Sequence, residues 1–269
     1  MKPALLLLVA ILISASPSFA ETIRIGGSGS MIPLLTDLGK AYVKKYPKDE
    51  VDVRQTSMGQ PGGIAALNAG AVDIAMSATD LSEEQLKLQI RPVLIAKVAG
   101  AVAVNAGVTV KGITNRQLCD IYAGKITSWK ELGGADAKII AYTRPESDST
   151  KQSFRKGFAC MANLIESPDI PNLPKTQDME TALSTKPNSV GPLDIISVNR
   201  SHGKFRPLLI DGKGPNDLAK GGWPFVLHNN LVTGKNRSDG VTRFLGYIKS
   251  PEGQAIIKKH GALPTPFTL

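Results

Sequence analysis

The chain has 269 residues, a formal net charge of +9 and only 5% aromatic residues, with two cysteines and three histidines. Its length is enough for one large or two medium domains with real cores. The basic balance favours anionic partners, but the lysines are scattered, and without a basic-aromatic stripe or a helix-turn-helix pattern the composition argues against nucleic acid. His202, His228 and His260 show no ligand spacing, so neither a metal site nor a cofactor is expected.

The first twenty residues open with Lys2, run apolar from Ala4 to Ile13 and close on Ser18-Phe19-Ala20. They read as a secretory signal peptide (residues 1–20), because the apolar core is too short to span a bilayer comfortably and small residues precede the cleavage point. The mature chain is then expected in a bacterial periplasm. In that oxidising compartment the cysteine pair, Cys119 and Cys160, is expected to form one disulfide.

From Glu21 the pattern is strand (TIRIGG), helix (about 31–46), strand (EVDVRQT), helix (GGIAALNAG) and strand (VDIAMSA). This βαβαβ order implies a parallel sheet that holds ligands at the carboxyl ends of its strands. Ser82 and Gln85 have capping-box spacing in LSEEQLKLQ, which predicts a surface helix. PVLIAKVAGAVAVN (92–105) is a Val-rich apolar run, a buried strand or strand pair that carries the first crossing between domains.

Next come a helix (TNRQLCDIYAG), a short helix at Trp129 and a strand (KIIAYT). The stretch Arg144-Pro145-Glu146-Ser147-Asp148-Ser149-Thr150 then leads into a helix over KQSFRKGFACM. A Pro/Asn-rich loop (167–178), a helix (METALSTK), strand-like SVGPLDIISVN and a strand with a turn (KFRPLLIDGKGPN) follow. WPFVLHNNLVTG reads as a long returning strand, and the chain ends in two helices broken at Ser250-Pro251.

Three places bring small or hydroxylated residues to the start of a helix: Gly26 to Ser30, Gly59 to Gly63, and Arg144 to Thr150. Unpaired first-turn N–H groups make each a candidate anion site, and Arg144 adds a permanent charge. Cys119 and Cys160 fall on the two expected helices flanking the Arg144 loop, where a bridge would brace it.

The segments GSGSMIPLL, GQPGGIAALNAGAVDIAMSATDLSEEQ, LCDIYAGKITSWKELGG, RPESDSTKQSF and SPEGQAIIKKHGALP, in this order, resemble the periplasmic phosphate-binding proteins of ABC transporters. The resemblance implies the two-lobed type II periplasmic binding protein fold, α/β with mixed, mostly parallel sheets and a ligand cleft between the lobes. It places lobe 1 at 21–98 plus 224–269 and lobe 2 at 99–223. It also implies a non-enzymatic monomer that delivers phosphate or a related small oxyanion to an inner-membrane ABC permease.

Carried over position by position, it nominates Arg144 for the anion, Glu146 to orient that arginine, and Thr150 and Ser77 as hydroxyl donors. Ser28, Ser30, Met31, Gln60, Thr79, Ser147, Asp148 and Ser149 fill the remaining ligand positions. Some of these depart from the usual pattern. Met31 or Ser30 stands where a hydroxyl is usual, Gln60-Pro61 replaces a Ser-Ser pair, Ala78 replaces an aspartate, and Asp148-Ser149 replaces Ser-Gly. A carboxylate at Asp148 either accepts a hydrogen bond from a protonated anion, which favours phosphate over sulfate, or pairs with Arg144 and closes the socket.

The second reading is a binding or sensor protein for a different small metabolite. A hydrolase reading has little support: Gly26 to Ser30 fails the nucleophile elbow at its last position, and serines at such sites ordinarily cap helices.

Overall fold

The structure is a computed structural model that describes residues 20–269. The expected signal peptide, apart from Ala20, lies outside the described residues.

The first unit runs β1 (Thr22–Gly27), α1 (Ile32–Lys45), β2 (Glu50–Val53), α2 (Gly59–Asn68), β3 (Ile74–Ser77) and α3 (Glu83–Leu86). Alternation buries Ile23 and Ile25 of β1, and helical spacing buries Leu34, Leu35, Leu38 and Tyr42 of α1. β1 pairs in parallel with both β2 and β3, so the loops leaving β1 and β3 emerge at one edge. Ser82 and Gln85 close the expected capping box at α3.

β4 (Ile90–Asn105) is one unbroken 16-residue strand. It is followed by β5 (Gly112–Ile113), α4 (Asn115–Tyr122), β6 (Ile140–Ala141), α5 (Ser149–Gly157), α6 (Thr176–Thr185), β7 (Ser189–Asp194) and α7 (Ile195–Arg200). The chain finishes with β8 (Phe205–Pro207), β9 (Leu209–Ile210), β10 (Val226–Gly234), α8 (Asp239–Lys249), α9 (Pro251–Lys259) and β11 (Leu263–Pro264).

The main sheet has the order β2-β1-β3-β10-β4-β7-β6, with β8 and β11 also on β4. β4 joins the two lobes. Its residues Ile90 to Ala99 pair antiparallel with β10, and from Gly100 to Val104 its partner is β7. At the switch Phe225 packs so closely that a Cβ on Gly100 would sit 2.3 Å from its ring. The Gly100 carbonyl accepts from Trp223 Nε1 at 2.7 Å. Both tryptophans are core residues, Trp129 at 1% and Trp223 at 3% exposure.

Two expectations about elements are corrected. KIIAYT contributes only a two-residue strand, Ile140–Ala141. In SVGPLDIISVN the strand stops at Asp194, whose side chain accepts from the Ser197 N–H and caps α7. The apolar run after Asp194 is helical because this cap starts a helix there.

Cys119 and Cys160 are bridged, with their Cα atoms 6.2 Å apart. Cys160 lies just past α5, in a 3-10 turn at Ala159–Met161.

Candidate anion-binding site

Helix capping divides the helices into two groups. Side chains cap α3, α4, α7, α8 and α9 through Ser82, Thr114, Asp194, Ser238 and Ser250. The N-cap residues of α1, α2 and α6 make no side-chain cap bond. The Ser57 hydroxyl accepts only the Gly59 N–H of α2, at 3.3 Å, and α1 is entered through a 3-10 turn at Gly29–Met31 that is itself uncapped. First-turn N–H groups without a cap must find another acceptor, and an anion is the one best matched to the positive end of a helix.

These three open N-termini meet. The Met58 N–H bonds the Gly27 carbonyl at 3.0 Å and the Ser28 N–H bonds the Met76 carbonyl at 3.0 Å, drawing together the starts of α1 and α2 and the end of β3. A Cβ on Gly29 would lie 2.8 Å from Ser57 Cβ and 3.0 Å from Thr176 Oγ1. Gly29 thus lets the loop before α1 approach both the loop before α2, at Ser57, and the first residue of α6. Across the cleft, Gln177 Nε2 donates to the Gln55 carbonyl at 3.3 Å.

Arg144 reaches this junction from the other lobe. Its side chain is 2% exposed, and Nη2 donates to Asp148 Oδ2 at 2.6 Å, with Thr176 Oγ1 at 3.5 Å. Nε and Nη1, together with Ser149 Oγ, are buried and have no hydrogen-bond partner among the described residues. A buried guanidinium with unmet donors is costly unless something supplies acceptors.

Asp148 does two jobs. Besides receiving Arg144, its Oδ1 accepts the N–H groups of Thr150 and Lys151 at 3.0 and 3.1 Å, capping α5. The expectation that α5 offers an open N-terminus to the ligand is therefore corrected, because an internal carboxylate already fills it.

Among the nominated residues, Ser28 and Ser30 are buried with their hydroxyl oxygens 3.2 Å apart. Gln60 is buried in the first turn of α2. Ser77 Oγ donates to the Thr79 carbonyl at 2.6 Å, and the same carbonyl accepts from Asn230 Nδ2 at 3.2 Å. Ser149 and Thr150 are buried, whereas Ser147 is exposed.

Two nominations fail on geometry. The Met31 side chain is fully buried in the hydrophobic core, and its N–H bonds the Ser28 carbonyl at 3.2 Å. Glu146 turns away from Arg144 and pairs with Arg155, Oε2 to Nε and Oε1 to Nη2, both at 2.8 Å. The Arg155 hydrogen bonds hold its carboxyl below the usual range, with Lys151 contributing. Asp148 holds the arginine instead.

Sequence reasoning missed Thr176, Ser57 and Lys151. Lys151 is fully buried behind the loop, its ammonium bonded to Thr143 Oγ1 at 2.5 Å and to Glu166. It ties the residue before Arg144 to the first turn of α5. His228 Nδ1 lies 2.8 Å from Asp80 Oδ1.

Two lobes joined by crossing strands, with open helix N-termini and a buried arginine between them, define a solute-binding protein. A family model described as the PBP superfamily domain matches residues 13–191. The phosphate-binding protein PstS of Bacillus subtilis is 30% identical over 254 residues, spanning 90% of this chain and 80% of that protein. The chain belongs to this family of phosphate-binding proteins in the PBP superfamily.

The fold is shared with a phosphate ABC transporter substrate-binding protein from Clostridium perfringens, described as putative and solved with bound phosphate. It has TM-score 0.82 and 24% identity, covering 91% of this chain and 100% of that one. An ABC-type phosphate transport receptor from Vibrio cholerae aligns with TM-score 0.68 and 26% identity over 91% and 100% of the two chains.

Proposed function

We propose that this chain binds inorganic phosphate between its lobes and delivers it to an inner-membrane ABC permease as a monomeric periplasmic protein. The observation that carries the reading is the buried Arg144 guanidinium, whose Nε and Nη1 have no partner. Each of these donors can give a charge-assisted hydrogen bond to a phosphate oxygen. The uncapped 3-10 turn Gly29–Met31 that leads into α1 and the N-terminus of α2 add backbone donors, and Ser28, Ser30, Gln60, Ser77, Ser149 and Thr150 are the side chains assigned to the anion. The lobes are taken as 21–98 plus 224–269 and 99–223, a division supported by the change of partner along β4 between Ala99 and Gly100.

Asp148 is assigned the choice of anion. Oδ1 is fully engaged by two N–H groups, while Oδ2 receives one bond from Arg144 and keeps a lone pair. A protonated phosphate has an O–H to donate there, and sulfate at neutral pH has none. Titration calorimetry of the mature protein with phosphate, arsenate and sulfate tests the reading. Heat with phosphate and arsenate and none with sulfate is expected; silence with all three would sink it.

A further inference from the structure

We propose that α6 is a further arm of the anion site, with the Thr176 hydroxyl and the uncapped first-turn N–H groups of α6 donating to the bound anion. The inference rests on the phosphate reading and adds a helix that the sequence did not nominate.

Thr176 is 4% exposed and sits where both lobes touch, 3.5 Å from Arg144 Nη2 and against the loop at Gly29. The guanidinium only donates, so the Thr176 oxygen accepts there and its own proton is left to point elsewhere. An acceptor placed there can also take one of the unmet donors of Arg144, whose Nε and Nη1 are buried without partners. An oxyanion offers several such lone pairs at one place.

The helix itself fits. α6 has ten residues, and its N-cap position is Lys175, which makes no side-chain cap bond. A lysine is a poor N-cap, because an ammonium cannot accept from the first-turn N–H groups and sits at the positive end of the helix dipole. Lys175 is exposed, so burial does not dictate this choice. The other arms come from the opposite lobe at α1 and α2, so α6 and Arg144 face them across the anion.

The test uses the mature wild-type protein and four variants, titrated with inorganic phosphate and melted in its absence. Thr176→Val removes the hydroxyl at nearly constant shape and is expected to weaken phosphate about tenfold, whereas Thr176→Ser stays within about twofold of wild type. Lys175→Ser supplies a cap, and Lys175→Ala controls for the lost charge. Relative to Lys175→Ala, Lys175→Ser is expected to raise the melting temperature and lower phosphate affinity severalfold, because its hydroxyl competes for the N–H groups the anion uses.

Unchanged phosphate affinity in Thr176→Val, or equal affinity in the two Lys175 variants, overturns the proposal. Should Thr176→Val not fold, the Lys175 pair decides alone. A wild-type protein that gives no heat with phosphate refutes the phosphate reading itself, which is a different outcome from binding that ignores α6.

Discussion

The carboxylate of Asp148 stands 2.6 Å from the Arg144 guanidinium while also capping α5 through Thr150 and Lys151. One side chain thereby fixes the arginine and fills a helix N-terminus. Asn caps helices about as well as Asp, so Asp148→Asn keeps the α5 cap while it removes the charge and the oxygen that receives Arg144 Nη2. With the charge gone, an unprotonated dianion no longer meets a carboxylate, whose repulsion is worth on the order of 4 kcal/mol at about 4 Å in a medium of intermediate dielectric. Sulfate affinity relative to phosphate is expected to rise at least tenfold by calorimetry. An unchanged ratio would remove Asp148 as the selecting group.

Lys151 makes a second, separable claim. Its ammonium is fully buried against Glu166, itself only 11% exposed. Lys151→Met leaves that carboxylate only the distant Arg155 Nη2 at 4.0 Å, and losing one partner of a buried pair costs roughly 3–5 kcal/mol. The double variant Lys151→Met with Glu166→Met is expected to regain more than half of this in urea unfolding, since apolar replacement of both partners is often near neutral. Equal losses in the single and double variants would contradict the pairing.

Where periodicity or a cap dictated structure, the sequence was readable: β1, α1, the capping box at Ser82 and the single long β4 follow from local pattern. The site was harder to read because its members are chosen by tertiary approach. Thr176 sits in a Pro/Asn-rich stretch with no local sign that Gly29 and Arg144 come to it. Glu146 lies two residues from Arg144 in sequence, yet Arg155, one helix further on, wins it with a two-point contact. Asp148 departs from the family pattern in sequence, but that its carboxylate also caps α5 depends on where the helix begins.

The disulfide closes a sequence separation of 41 residues. For a loop of that size the chain-entropy relation gives about 4 kcal/mol. In the oxidised mature protein, replacing Cys119 and Cys160 together by Ser is expected to lower the melting temperature by about 8–16 °C, at about 2–4 °C per kcal/mol for a domain of this size. A shift below about 2 °C would mean that the bridge adds little to the fold.

Asp194 gives the clearest pH dependence. It is 1% exposed at the end of β7, where it caps α7 through the Ser197 N–H at 2.9 Å. Burial pushes its carboxyl up to about 6, with Glu180 adding to the shift and the Ser197 bonds opposing it. The unfolded chain titrates near 3.9, so between about pH 4 and 6 the native state holds a proton that the unfolded state has lost. Stability from this residue is therefore fully present below about pH 4 and is lost as pH rises through about 6. The loss amounts to roughly 3 kcal/mol for a shift of about two units. Asp194→Asn keeps a capping oxygen and cannot ionise. In urea unfolding at pH 4, 5, 6 and 7, its stability relative to wild type is expected to climb across that window and level off above it. Parallel curves for the two proteins would show that Asp194 does not carry this linkage.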